Sequence, residues 1–418
     1  MRTAEKISAA VTISGLTRTT TAALVLLALS LSGCLGGADR STRIEGDTVA
    51  IYSSLPRHGV SAPAARATAA GQRLALEDAG GRAGDLEVKL VELDSAEPGE
   101  RLWDPDVVSM NAQEAADDPR AIAYIGELDY GASAVSVPIT NDAGLLQVSP
   151  ADGLTSLTRA PLGRPRAGPE RYYPEDERSF VRLVPADELL AETLVGRVRD
   201  TGATSVAVLN DGEIHSRELG GILQALARRD GPEPVEVQEY RGRVDEIPDL
   251  VRDIAEDRPA ALLYAGIAGP GTGRILAQVD RALPGVPVYA TYGMLARDPA
   301  VPIPVAPSTV EALGPIPPES ELPGEGRRRL ARLRETEGAA VARPEALYGY
   351  EAMRLVLDAI RVAGADRARV IEEALRIRER TGTPLGPYWV RATGEVETTR
   401  FALNSLRQGR FAFDRMLE

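Results

Sequence analysis

The sequence predicts an α/β protein with two lobes, each a mostly parallel sheet covered by helices on both faces. Short apolar segments alternate with helical segments along the whole chain after residue 47, which is typical of parallel sheets. The alternation restarts after the Pro-, Gly- and charge-rich stretch 160–178, which indicates a second lobe. The chain has a single cysteine, Cys34, so the folded body must be stabilised by core burial and not by disulfides.

The first series begins with an apolar strand and a helix that stops at Gly80 and Gly81. Pro138 is expected to end or kink the third helix. The predicted strands are 48–53, 86–93, 121–125 and 145–148, and the predicted helices are 63–78, 106–116 and 133–143.

The second series repeats this rhythm, with Asp187 and Thr272 where helix N-caps belong. Its predicted strands are 180–184, 205–209, 235–240, 260–264 and 286–290, and its helices are 187–200, 214–229, 244–256 and 272–283. The proline-dense stretch 301–323 predicts an irregular crossing. Three further helices follow at 327–336, 344–362 and 368–378, and strands and turns occupy 387–413.

The N-terminus has the parts of an export signal. Arg2, Lys6 and Arg18 precede an apolar run at 22–31, which is too short for a bilayer span of about 20 residues. The residues before Cys34 (LSGC) resemble the lipobox of bacterial lipoproteins, in which the cysteine is cut free and acylated. The resemblance implies a signal peptide at 1–33 and a protein lipid-anchored on the extracytoplasmic face of the cell membrane. A buried cysteine in a cytosolic protein would leave the apolar run unexplained.

Residues 34–47 are rich in glycine, serine and charge without apolar periodicity, which predicts a flexible tether.

Charge and motifs exclude several function classes. The net charge of −13 argues against nucleic acid and against a polybasic membrane-binding surface. The sequence has no H-E-x-x-H, G-x-S-x-G or P-loop motif, so we predict no catalytic residue, no metal and no cofactor. The stretch 269–273 lacks the full dinucleotide-binding spacing and predicts a turn with a Thr272 cap. A hydrolase with a Ser-His-Asp triad would have to use His58 or His215. With two histidines, far apart in the sequence, few such triads are possible.

The order of these segments resembles the type I periplasmic binding proteins, in particular the leucine/isoleucine/valine-binding branch of solute receptors. The resemblance covers nearly all of the chain after residue 47. It is carried by the segments 49–56 (VAIYSSLP), 71–81 (GQRLALEDAGG), 91–95 (VELDS), 124–126 with Ser133, 148–151 (VSPA), 180–182 with Asp187, 209–211 (LND) and 348–352 (YGYEA).

This resemblance implies two interleaved lobes joined by three hinge crossings, near Pro185, Ala312 and Leu385. The implied lobes are 48–185 with 312–385, and 186–311 with 386–418. It also implies a monomer that binds a small molecule between the lobes and delivers it to the permease subunits of an ABC transporter. A lipoprotein that senses the ligand for a signalling partner is the alternative, because one fold serves both roles.

The resemblance places the ligand site at the carboxyl ends of the strands, which is where open α/β sheets bind ligands. The first lobe would contribute two loops, with Leu128, Asp129, Tyr130 and Ser133 in one and Ala151, Asp152 and Gly153 in the other. The second lobe would contribute His215, Ile267 and Tyr292. Backbone N–H groups at 130–133 and 149–153 are expected to hold a carboxylate, although Ser133 can also be an ordinary helix cap. His215 can equally be an exposed loop histidine.

Tyr292 stands where relatives often have an acidic residue that holds the ligand's ammonium. A branched-chain amino acid is therefore expected to bind weakly, and a carboxylate or amide compound without an ammonium is the predicted ligand. Asp129, Asp152 or Glu213 could replace the missing carboxylate.

Overall fold

The computed structural model describes residues 42–128, 130–240, 243–269, 271–296, 309–376, 379–398 and 400–418. The predicted signal peptide, Cys34 and Asp129 lie outside these residues. The described end of the predicted tether packs on the folded body, because Ile44 is buried and its N–H donates to the Ala365 carbonyl at 2.8 Å. The prediction of a tether reaching residue 47 is therefore wrong for its last residues, since Ile44 joins the core of the first lobe.

The first lobe is built on a six-stranded sheet with the order β2-β3-β1-β4-β5-β6. All of its neighbours pair in parallel except β2 and β3. Its strands are β1 (Thr48–Leu55), β2 (Arg82–Ala83), β3 (Leu86–Asp94), β4 (Ala121–Ile125), β5 (Leu146–Ser149) and β6 (Phe180–Arg182). The helices of this part of the chain are α1 (Ala62–Asp78), α2 (Pro105–Asp117) and α3 (Ser133–Asp142).

The second lobe is built on a seven-stranded sheet with the order β15-β14-β11-β10-β9-β7-β8, in which β14 and β15 are antiparallel. Its strands are β7 (Ser205–Asn210), β8 (Glu233–Glu239), β9 (Ala261–Tyr264), β10 (Val288–Ala290), β11 (Val310–Gly314), β14 (Phe401–Arg407) and β15 (Arg410–Leu417), and a separate pair is β12 (Trp389–Val390) with β13 (Val396–Glu397). The remaining helices are α4 (Asp187–Asp200), α5 (Ile214–Asp230), α6 (Ile247–Glu256), α7 (Thr272–Ala282), α8 (Gly324–Thr336), α9 (Pro344–Ala363) and α10 (Arg367–Arg376). Short 3₁₀ turns lie at Thr155–Leu157, Pro169–Tyr172, Val244–Glu246, Tyr292–Leu295 and Glu319–Glu321.

Both sheets lie between two layers of helices, which confirms the predicted three-layer αβα lobes. Apolar residues of α1, α8, α9 and α10 pack on one face of the first sheet, and those of α2 and α3 on the other. The second sheet lies between α6 with α7 and α4 with α5. Among the described residues, no helix combines the length and apolar character that a membrane crossing requires.

The passages between the lobes fall close to two of the three predicted crossings. Val184 belongs to the core of the first lobe and α4 to that of the second, so the chain crosses near Pro185. Ala312, where a crossing was expected, lies inside β11 of the second sheet, and the crossing follows at Pro315. Tyr388 and Val396 still pack in the first core, so the last crossing comes after β13 and not near Leu385. Beyond these positions, the lobe boundaries stay a prediction.

Three local expectations need correction. The third helix does not end at Pro138, because packing of the neighbouring Val137 and Ile139 on two sides outweighs a cost of about 3 kcal/mol for an interior proline. A kink at this position stays a prediction. The stretch predicted as an irregular crossing contains the fully buried strand β11. Asp187 and Thr272 are the first helical residues, one position after the cap, which frees the Asp187 carboxylate for a contact described below.

Candidate ligand-binding site

Two loops of the first lobe meet at the carboxyl ends of β4 and β5. Asp152, in the loop after β5, is completely buried and turns its carboxylate onto the other loop. One oxygen accepts from the Gly131 N–H and the Leu154 N–H, both at 3.2 Å, and the second accepts from the Ser133 N–H at 3.0 Å. These three N–H groups are called the amide cradle below.

The amide cradle is braced from beneath by serine hydroxyls. Ser149 donates to the Glu127 carbonyl at 2.6 Å and accepts from the Asp152 N–H at 2.8 Å. The Ser133 hydroxyl accepts from the Glu127 N–H at 3.2 Å, so it makes a hydrogen bond within the loop. The expectation that the amides of Gly131 and Ser133 are available to a ligand carboxylate is therefore wrong for this structure, because Asp152 already accepts from them.

Three rings from both lobes meet next to this loop. Tyr130 stacks on Tyr292, with ring centroids 5.7 Å apart and planes within 14°, and meets His215 edge-on at 5.5 Å. The Tyr292 hydroxyl and His215 Nε2 are 2.9 Å apart. His215 is fully buried on α5, so the reading as an exposed loop histidine is wrong.

His215 also contacts a buried acid, since Asp187 Oδ2 lies 3.1 Å from its Nε2. Burial by itself lowers the pKa of His215, but the carboxylate of Asp187, aided by Asp152 and Asp211, holds that pKa above its usual value. A side chain at Gly153 would collide with Asp187, because an added Cβ would lie 2.3 Å from Oδ1. We call Tyr130, Asp152, Asp187, His215 and Tyr292 the polar cluster.

An open cavity of about 440 Å³ adjoins the polar cluster and lies between the lobes. The N-terminal turns of α1 and α9 form part of its wall. First-lobe residues of the wall include Ser61, Ala64, Thr68, Leu128, Tyr130, Ala151 and Tyr348, and second-lobe residues include Tyr292, Leu295, Ala402 and Asn404. The wall is mainly apolar and aromatic, and its volume suits a small organic molecule.

The polar side chains of this cavity wall already have partners in the protein. Arg343 makes a paired contact with Glu345, at 2.8 and 3.3 Å. Asn404 donates to the carbonyls of Ala402 and Ala312, at 3.1 and 3.4 Å. The cavity therefore offers apolar surface and few uncommitted charges.

The remaining predicted residues lie around this region. Leu128, Tyr130, Ala151 and Tyr292 line the cavity, whereas Ile267 is buried behind it and donates its N–H to Asp211 at 2.7 Å. Asp129 lies outside the described residues, so its predicted role is not placed.

Glu213, the other candidate for the missing carboxylate, is engaged at the cleft mouth. It pairs with Arg101 of the first lobe at 3.2 Å, and Arg101 also lies 3.9 Å from Asp211. This ion pair joins the two lobes. Among the described residues, no group of three or more His, Cys, Asp or Glu could hold a metal ion.

Sequence reasoning missed the pairing of Asp187 with His215 and the role of Asp152 as an internal cap. A signal for Asp152 existed, because Asp readily accepts from the N–H two residues further on, as it does from Leu154. The sequence marked Asp187 only as a helix start and gave no signal for its contact with His215, which arises through packing of α4 against α5. The wall residues on α9 and β14 lie far along the chain from the predicted loops, and none of them was predicted from the sequence to belong to the site.

Two α/β lobes around a cleft define a two-lobed binding protein. A family model described as periplasmic binding protein matches residues 48–406, and the chain belongs to that family. A search of curated proteins found no match.

Solved structures show the same fold. A leucine-binding protein from Thermotoga maritima is 20% identical with a TM-score of 0.69, over 88% of this chain and 99% of that one. A solute-binding protein from R. palustris, solved with benzoate, is 16% identical with a TM-score of 0.66, over 88% and 96% of the two chains. A branched-chain amino-acid-binding protein from Streptococcus pneumoniae, solved with isoleucine, is 15% identical with a TM-score of 0.68, over 88% and 99%. The predicted type I periplasmic-binding fold is confirmed.

Proposed function

We propose that this protein is the solute-binding component of an ABC uptake transporter, held on the extracytoplasmic face of the membrane by a lipid on Cys34. The observation that carries the proposal is the cavity of about 440 Å³, whose walls come from both lobes. A molecule bound there would contact both lobes, and binding would favour the closed arrangement of the lobes.

The solute we propose is a small molecule with a branched or flat apolar body and an uncharged polar group such as an amide. The structural neighbours named above bind leucine, benzoate and isoleucine, according to their descriptions. The amino-acid-like or carboxylate ligand expected from the sequence fits less well, because Asp152 fills the amide cradle and Arg343 is paired with Glu345. A charge buried without a partner would cost several kcal/mol.

We also propose binding without turnover. In the described part of the chain, His215 Nε2 approaches Tyr292 and Asp187, and Nδ1 has no hydrogen-bond partner. His215 therefore contacts a tyrosine and a carboxylate, and a hydrolase stays the less favoured alternative. Signalling through the same closure stays an alternative.

The test is to purify the protein natively, denature it and identify the released small molecules by mass spectrometry. Small-angle scattering should then show a smaller radius of gyration when that solute is added back to stripped protein. The proposal would be contradicted if native protein releases no small molecule and stripped protein does not become more compact with any solute tested. Chemical conversion of a solute by the pure protein would contradict it as well.

The anchor is tested separately by Cys34→Ser. Without the thiol that is to be acylated, the variant should leave the membrane fraction or stay unprocessed. A variant that fractionates and migrates like the wild type would rule out lipidation at Cys34.

A further inference from the structure

Asp152 makes the contacts that a bound carboxylate would make. Its two oxygens accept from three backbone N–H groups, two of which belong to the first turn leading into α3. Such N–H groups favour an anion because they lack helical partners and carry the positive end of the helix dipole. The side chain is completely buried, so water takes no share in these bonds.

The amide cradle borders the cavity between the lobes. Tyr130, next to Gly131, and Ala151, next to Asp152, both line that cavity. A Cβ added at Gly131 would lie 3.6 Å from the backbone nitrogen of His215, so the second lobe closes directly over the cradle. Here His215 is fully buried, and its Nδ1 has no hydrogen-bond partner among the described residues.

We propose that Asp152 is an internal ligand, which occupies a carboxylate subsite of the cleft and thereby excludes solutes that need it. This inference rests on the proposed function, because it decides which solutes the adjoining cavity accepts. Asp152 is then a specificity-determining residue.

Two further features work in the same direction. A second carboxylate brought to this end of the cleft would find the N–H donors used and would face the buried acids Asp152 and Asp187. Gly153 itself supplies no hydroxyl, and a side chain at that position would require Asp187 to move. Both effects disfavour anionic solutes at the polar cluster.

The experiment is chemical rescue of Asp152→Gly by formate, with sodium chloride at equal ionic strength as the reference. The variant leaves a carboxylate-sized space lined by three N–H donors. Formate at about ten times its dissociation constant should raise the Tm of the variant by about 2 °C over chloride. Formate should also shift the amide resonances of Gly131, Ser133 and Leu154. Wild-type protein should show neither effect, and its formate affinity should be at least tenfold weaker.

Two variants serve as controls. Asp152→Asn fills the same space and should not respond to formate. Asp104→Gly removes a more exposed Asp that caps α2 through the N–H groups of Asp106 and Val107, at 2.9 and 3.0 Å, and should respond equally to formate and chloride.

If Asp152→Gly does not fold in chloride, Asp152→Ser is used, and recovery of folded protein on refolding in formate is compared with that in chloride. A folded Gly or Ser variant without any formate-specific effect would overturn the inference, as would formate binding by the wild type at the same three amides. Neither result depends on the natural solute, so a failed inference is distinguishable from a failed proposed function.

Discussion

The two ends of the cleft differ in how many of their hydrogen-bonding groups are already paired within the protein. At the polar cluster, the amides of Gly131 and Ser133 bind Asp152, and His215 contacts Asp187 and Tyr292. A few ångströms away, the cavity remains open with a largely apolar wall. We infer from this difference that a binding protein can change its solute by filling one part of its cleft with its own side chains while leaving the rest open.

The open end of the cleft is the cavity of about 440 Å³, and part of its wall is formed by the closely packed helices α1 and α9. An added Cβ at Gly349 would lie 2.1 Å from the Thr68 carbonyl oxygen, so Gly349→Ala must push the two helices apart. We expect a loss of about 3 kcal/mol in the free energy of unfolding, at the upper end for overpacking. Denaturant titration measures it.

Gly196→Ala is the matched control, since Gly196 lies inside α4 with open space where the methyl would be placed. It should be stabilising by about 0.5–1 kcal/mol, the usual gain for alanine over glycine in a helix. Equal changes in the free energy of unfolding at the two glycines would show that α1 and α9 are not in close contact at Gly349.

A bulky side chain in the open end should block the solute. Ala64 lines the cavity on α1, and Ala64→Phe should weaken binding of the solute released from wild-type protein by at least tenfold, about 1.4 kcal/mol. Calorimetry checks this. Ala116→Phe, on α2 away from the cavity, should bind normally, and unchanged binding by Ala64→Phe would place the solute elsewhere.

The polar cluster should respond to pH. Since the pKa of His215 is raised in the folded state, its charged form stabilises the fold below about pH 6.5, and this stabilisation is lost as the pH rises through the folded-state pKa. The difference in unfolding free energy between wild type and His215→Gln should therefore be largest in acid and should shrink as the pH rises through the folded-state pKa of His215.

Tyr292→Phe is the control for that measurement, because it removes the hydroxyl that contacts His215 and leaves Asp187 in place. Its loss, about 1 kcal/mol, should depend less on pH. A wild-type advantage over His215→Gln that grows with pH would contradict the charged pair.

The fold was largely predictable because its elements have local signals. Short continuous apolar segments such as 121–125 are typical of buried strands in a parallel sheet, and the structure has β4 there. Strand β11 was missed because its five residues stand within a proline-dense stretch that favours an irregular chain. Pro138 does not end α3, because packing on both sides of the helix overrides its local preference.

The loops of the candidate site could be predicted from the sequence, whereas the hydrogen bonds of their side chains could not. The family resemblance indicated the loops that carry Tyr130 and Asp152, and both loops follow strands of one sheet. Whether a buried carboxylate faces a ligand or its own backbone depends on side-chain direction, which depends on tertiary packing. The contact of Asp187 with His215 likewise requires α4 and α5 to be side by side.

The ion pair between Arg101 and Glu213 has a kinetic consequence. It joins the lobes at the mouth of the cleft through partly exposed side chains, so salt screens it. A pair of this kind is worth about 1 kcal/mol or less, which corresponds to at most about a fivefold change in a rate. Because the pair joins the two lobes, we expect the residence time of a bound solute to shorten as ionic strength rises, so that release is faster in a saline medium than in a dilute one.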